Sequence, residues 1–282
     1  EGAIYALIAL GYTMVYGIIR MINFAHGDFI MIGAYTLFYT IPLMVDAGMP
    51  AWMAVIVAVA VCALVGVLVE ILAYRPVRKA GPMSALITAL AMSIFLENLA
   101  MVLFGAKPHN VQAIFSLPTV TVGGVALPLN VLLTIAIGLG MMIALQLFVK
   151  KTKLGKAMRA VPQDKDASTL VGINVNKIIT TTFAIGSGLA AIAGVLLCSA
   201  YPTLMPTTGS MPGIKAFTAA VFGGIGSIPG AMIGGILLGI IEIFSKAYIS
   251  TQLSDAIVFA VLIVVLIVKP DGLLGKHVSE KV

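Results

Sequence analysis

Three stretches of this 282-residue chain, Pro108 to Val149, Ile178 to Ile214 and Ala216 to Ile241, contain no Asp, Glu, Lys or Arg. Each is longer than the roughly 20 apolar residues that carry an α-helix across hydrocarbon. Such runs are excluded from water, and in a bilayer their backbone must satisfy its own hydrogen bonds, which a helix does within the segment. Composition agrees, at 60% hydrophobic and 10% charged, against about 45–50% and about 25% in an ordinary soluble domain. The expectation is an all-α, polytopic integral membrane protein. Its 29 Gly and 13 Pro fit that class, because neighbouring helices re-satisfy the backbone groups these residues free.

Apolar runs divided at charges and at Gly/Pro breaks predict about eight transmembrane helices, near 2–19, 27–46, 51–73, 83–104, 128–149, 178–200, 230–249 and 253–268. A further segment, 213–226, is about 21 Å long at 1.5 Å per residue, too short to span unaided. It reads as either a half-helix or a re-entrant loop. The chain opens on Glu1 without a Met, and further N-terminal residues are expected before it.

Cytoplasmic connections of membrane proteins are enriched in Lys and Arg. Arg20, Arg75, Arg78, Lys79, Lys150, Lys151, Lys153, Lys156, Arg159, Lys165, Lys177, Lys269, Lys276 and Lys281 fall on one side of the expected spans, and Lys107, Lys215 and Lys246 on the other. Fourteen against three places the loop 150–177 and the C-terminus in the cytoplasm and the N-terminus outside. The bookkeeping closes only if 213–226 also carries the chain inward. The outer loop 105–127 reads as a small extended flap, and the whole chain as one transmembrane domain bearing the cytoplasmic loop 150–177.

The net charge of +6 lies in short connections between spans rather than on a nucleic-acid surface. Cys62 and Cys198 sit in apolar runs far from any His and read as small buried side chains. No GxxxxGK[ST] loop, metal-ligand spacing or nucleophilic triad is visible, so neither ATP hydrolysis by this chain nor a cofactor is expected.

Two interruptions carry candidate transport residues. The first, Ile22 to Asp28, places Asn23, His26 and Asp28 at or near a membrane boundary, where ionisable groups are costly. Asp28 also suits the first turn of the following helix, near the positive end of its dipole. The second contains Gly223, Gly224 and Gly226, followed by Ser-Ile-Pro-Gly. Gly226, Gly230 and Gly234 lie four apart, as do Gly235 and Gly239, which permits close helix packing; an unwound break there would also line a solute path. Glu97 and Glu242 read as interhelical hydrogen-bond partners rather than a proton relay, no second carboxylate or His recurring at helical spacing with either.

A third motif lies in the loop 150–177. Residues Gly155 to Val161, with Arg159, and Asp164 to Asn174, with Asp166, Ala167 and Gly172, read as two short amphipathic helices, the second opened by Asp and closed by Gly. Such a hairpin cannot bury both of its faces alone. It is either an ordinary solvated connector or a docking element for a cytoplasmic partner.

At this loop the chain resembles the membrane-spanning permeases of bacterial ABC importers, which share an acidic-Ala-Ala-x-x-x-Gly signature on the helix docked into the ATPase. Here it reads Asp166-Ala167-Ser168-x-x-x-Gly172, with Asp for Glu and Ser for the second Ala. Ile22 to Gly27, Tyr74-Arg75-Pro76, Gly172-Ile173-Asn174, Lys215 to Ala231 and Pro270 to Gly275 extend the resemblance to the H-type permease of high-affinity importers of leucine, isoleucine and valine. It covers nearly the whole chain. The resemblance implies a heterodimer with a second homologous permease, two cytoplasmic ATPase subunits, a periplasmic amino-acid-binding protein and a bacterial inner-membrane location. It assigns ATPase coupling to Gly155, Arg159, Asp164, Asp166, Ala167 and Gly172. Permeases of ribose-type sugar or nucleoside importers are the nearest alternative, and an ion-coupled secondary transporter the next.

Overall fold

A computed structural model describes residues 1–78, 80–112, 119–122 and 125–275. Lys79, Lys276 and Lys281 of the basic set, and residues 113–118 and 123–124 of the expected flap, lie outside the described residues. Continuous apolar runs close their backbone bonds internally as helices. Among the described residues, seven are long and apolar enough to cross a membrane. They are α1 (Gly2–Ile19), α2 (His26–Asp46), α3 (Met53–Val69) with its continuation, α5 (Pro82–Phe104), α6 (Leu129–Lys151), α9 (Val175–Ala200) and α11 (Ile228–Tyr248). The eighth expected span is α12 (Ser254–Val268), fifteen residues or about 22 Å long.

The short apolar segment is a half-helix, α10 (Ser210–Gly223), of fourteen residues. It starts at Ser210 rather than 213, because Pro212 falls in the first turn, where no intrahelical N–H bond is required, and the helical ladder opens with Gly213 N donating to Gly209 O at 2.8 Å. The third span continues as a π-turn, Glu70–Tyr74, and a single helical turn, α4 (Arg75–Val77). Pro76 lies in that turn; it has no N–H and its ring crowds the carbonyl four residues back, which the wider π-turn relieves. Two short helices, α7 (Lys153–Ala160) and α8 (Lys165–Leu170), separate α6 from α9.

Extended structure is slight. Strand β1 (His109–Asn110) pairs antiparallel with β4 (Thr203–Leu204), His109 opposite Leu204. The flap contributes β2 (Thr119–Val122) against β3 (Val125–Pro128), Thr119 opposite Pro128.

Helices α1 and α9 occupy the centre and are the most buried. The first packs on α9, α10 and α11, and the second also on α2 and α3. Helices α5 and α6 lie at the periphery and leave apolar side chains such as Ile87, Ile94, Val102 and Ile143 exposed, a surface suited to lipid tails rather than water. Close approach at the centre depends on missing side chains. A Cβ at Gly235 would run into the backbone of Ala6, and one at Gly239 into the backbone of Gly2, so α11 lies directly on α1.

Gly235→Val should wedge these two helices apart, an overpacking cost of about 1–3 kcal/mol. A lowered thermal-unfolding midpoint of the detergent-purified protein, with insertion retained, is the expected result.

Candidate functional site

The first break begins where α1 ends. Arg20 adopts a left-handed conformation (φ 57°), its N–H still bonded to Tyr16 O at 2.7 Å, and the chain reverses so that α2 restarts at His26. Asn23 is buried in this turn, and its Oδ1 accepts a hydrogen bond from the Tyr74 hydroxyl at 2.6 Å. Tyr74 closes the π-turn, so the two motifs Ile22 to Gly27 and Tyr74-Arg75-Pro76 meet in space.

One turn earlier, the fully buried Glu70 gathers Arg75 Nη2 at 3.0 Å, Arg78, and the Thr180 hydroxyl at 2.7 Å. Arg78 also donates to Asn176 Oδ1 at 2.8 Å. Burial lowers the pKa of the Arg78 guanidinium, an effect that Glu70 opposes, and an Arg remains charged throughout the physiological range. Two cations and a hydroxyl around one carboxylate give it the hydrogen bonds that a buried charge requires. The exit of the third span is thereby tied to the start of α9, immediately after the short helices α7 and α8.

His26 is buried against Tyr12, ring centroids 4.5 Å apart, and a Cβ at Gly11 would overlap its ring. Asp28 occupies the first turn of α2 and is buried beside Ser93 and Glu97. Thr13 Oγ1, Asn23 Nδ2, His26 Nε2 and Asp28 Oδ2 have no hydrogen-bond partner among the described residues. The first break thus concentrates unsatisfied polar atoms inside the bundle.

The second break folds back on itself. A Cβ at Gly223 would run into the Gly230 carbonyl, where α10 meets the start of α11. Gly224 has φ 102°, a region that glycine enters without steric cost. The amides of Leu273 and Leu274 donate to Phe222 O and Gly223 O, both at 2.9 Å. The Pro270 to Gly275 motif therefore satisfies the orphan carbonyls at the end of the half-helix. Gly226 lies against Gly17 of α1. Asn23 and Ile225, from the two breaks, line a common cavity of about 10 Å³ with Tyr12 and Phe217, so the structure brings both interruptions to the same end of α1. Asp28 lies outside that cavity lining.

Sequence reasoning overlooked a charged cluster at the other end. Lys215 of α10 contacts Glu242 at 2.7 Å and Asp255 at 2.6 Å. Glu242 also takes Lys246 at 2.7 Å, and Lys246 reaches Glu1 at 3.1 Å. The Glu242/Lys246 spacing of four, acid first, is the favourable helical orientation and was the available signal. Glu97 contacts Ser210. Both glutamates thus have interhelical partners, supplied from parts of the chain that helical spacing does not reveal.

The hairpin is built from caps. Thr152 Oγ1 accepts from Gly155 N at 2.9 Å and Asp164 Oδ1 from Ala167 N at 2.9 Å. Ile173 N bonds Ser168 O and Gly172 N bonds Thr169 O, both at 3.0 Å, and Gly172 has φ 85°, the αL closure of a helix C-terminus. Gly155 abuts Phe148 and Val149 at the end of α6, and Met158, Val161 and Ser168 are buried. On the opposite side Arg159, Asp164, Asp166, Ala167 and Gly172 are exposed, with Leu170 89% and Val171 76% exposed.

Residues 1–266 match the family described as "Branched-chain amino acid transport system / permease component". The chain is similar to the high-affinity branched-chain amino acid transport system permease protein LivH of Escherichia coli, 44% identical over all of this chain and 94% of that protein. It is similar to the corresponding permease protein BraD of Pseudomonas aeruginosa, with the same identity and coverage. Similarity extends to the ribose import permease protein RbsC of Escherichia coli, at 25% identity over 86% of this chain and 74% of that protein. No solved structure matches the chain.

At Gly224, any side chain would meet the Leu274 and Gly275 backbone as well as the unfavourable φ. Gly224→Leu should release the C-terminal turn from the half-helix, read as faster cleavage after Lys269 in limited proteolysis while the protein still inserts.

Proposed function

The chain belongs to the branched-chain amino acid transport system permease family, and from that membership we propose that it is the membrane-spanning permease subunit of a binding-protein-dependent ABC importer for leucine, isoleucine and valine. The observation that carries this reading is 44% identity along the whole chain to two permeases named for that transport. The ribose-type alternative has weaker support, at 25% identity over less of the chain. ATP hydrolysis belongs to separate subunits, since the sequence contains no phosphate-binding GxxxxGK[ST] loop.

The basic residues orient the protein with the N-terminus periplasmic and the loop 150–177 and C-terminus cytoplasmic in a bacterial inner membrane. A second homologous permease, two ATPase subunits and a periplasmic amino-acid-binding protein complete the complex. Within the single transmembrane domain, the solute path passes beside Asn23, His26, Asp28, Gly223, Gly224 and Gly226. The junction of Asn23 with Ile225 around one small cavity supports that route.

Coupling belongs to the hairpin residues Gly155, Arg159, Asp164, Asp166, Ala167 and Gly172. One of its faces is anchored on α6 and the core, and the other presents Leu170 and Val171 to whatever docks there. A rigid, capped element next to the Glu70 junction moves α9 and the third span together when it is displaced.

Gly172→Val places a β-branched residue at positive φ, a strain of about 1–3 kcal/mol. In the reconstituted complex it should leave ATP hydrolysis running while leucine uptake falls. Leu170→Glu should reduce ATPase copurification without loss of membrane insertion. Coupled leucine uptake at the parent's rate in Gly172→Val would remove the hairpin from the transmission route, and ATP-independent uptake would remove the ABC reading.

A further inference from the structure

The charged cluster overlooked in the sequence stands on the wall of a cavity of about 250 Å³, far beyond the roughly 10–15 Å³ that one water needs. Its lining includes the apolar Ile4, Leu197 and Met211 and the polar Tyr5, Lys215 and Glu242. That mixed lining suits an aliphatic amino acid, which has one apolar and one charged end.

The polar wall has capacity left over. A lysine ammonium has three protons, and Lys215 commits two of them, to Glu242 and Asp255. Glu242 is fully buried, and its Oε1 takes both lysines. Its Oε2 is buried with no hydrogen-bond partner among the described residues. One proton of the paired Lys215 and one oxygen of the paired Glu242 thus remain, both on residues that line this cavity. A zwitterion can add a charge-assisted hydrogen bond at each of these two groups, which a neutral sugar cannot.

The cavity also lies in line with the proposed route. Tyr5 lines it, and Tyr12, two turns along α1, or about 10 Å, lines the 10 Å³ cavity at the two breaks. Between them the rings of Tyr12 and Phe217 pack with centroids 5.7 Å apart. The groove between α1 and α10 is roomy at one end and shut by aromatic rings at the other.

We infer that the larger cavity holds a zwitterionic aliphatic amino acid in transit, its ammonium on Glu242, its carboxylate on Lys215 and its side chain against Ile4, Leu197 and Met211. This site rests on the transport reading above. The occupied cavity is the waiting position, and separation of Tyr12 from Phe217 releases the solute toward the two breaks.

The test uses the assembled permease–ATPase complex in lipid nanodiscs without binding protein, and radiolabelled leucine. Saturable binding to the parent is expected, displaced by leucine but not by leucinamide, which lacks the carboxylate, or by 4-methylpentanoate, which lacks the ammonium. Glu242→Gln and Lys215→Met should each weaken binding by about tenfold or more, the effect of losing one charged hydrogen bond. Leu197→Trp fills the cavity without touching a charge and should abolish binding in a complex that still assembles, which keeps the test decisive if a charge variant fails to fold. No saturable binding to the parent, equal displacement by leucinamide, or unchanged binding in assembled Leu197→Trp would each overturn the site. If the parent complex with its binding protein still drives leucine uptake by ATP, the site alone falls. If it takes up no branched-chain amino acid, the transport reading falls and the site with it.

Discussion

Within hydrocarbon no water is available to a backbone amide or carbonyl, so each interrupted helix must find partners from elsewhere in the chain. The half-helix α10 ends at Gly223, and its last carbonyls are met by the amides of Leu273 and Leu274 from beyond α12. At the other break, Arg20 takes a left-handed turn and the buried Asn23 is held by Tyr74. Both breaks are thereby fixed in position by remote segments, and both end up beside the terminal part of α1. The same constraint explains why the C-terminal Asp-Gly-Leu-Leu-Gly segment is packed against the bundle rather than trailing from it.

Packing at the centre follows from glycine. A shared apolar solvent gives helices little reason to associate, so close contact and interhelical hydrogen bonds supply it. Gly235 and Gly239 bring α11 onto α1. Gly33 and Gly194 bring α2 and α9 together in the same way, since a Cβ at either would strike the partner helix backbone. Bulky aliphatic side chains are left for the periphery on α5 and α6.

Charge is placed where helices change direction or end. Glu70 with Arg75, Arg78 and Thr180 binds the exit of the third span to the beginning of α9, close to the capped hairpin. Lys215, Glu242, Asp255 and Lys246 bind α10, α11 and α12 at the opposite end of the half-helix. A buried carboxylate stays ionised only with such partners, so each cluster doubles as a rigid joint. The Glu70 joint stands at the start of α9, and α9 packs in turn on α1, α2 and α3.

The sequence by itself determined the helices, because span length and apolar character are local properties that 1.5 Å per residue turns directly into membrane crossings. It also determined the hairpin caps at Asp164 and Gly172, since a cap acts within three or four residues of its own chain. The resemblance carried by short motifs was legible for the same reason. The tertiary structure decided what each motif touches. Nothing local in Tyr74 points to Asn23, nor in Leu273 to Phe222, nor in Glu242 to Lys215, which approaches it from another helix. Likewise the larger cavity has no signature in the chain, being the space left between the ends of α1, α9, α10 and α11. Hydrogen bonds, ion pairs and voids between distant segments are properties of packing, and hydrophobic periodicity does not encode which faces meet.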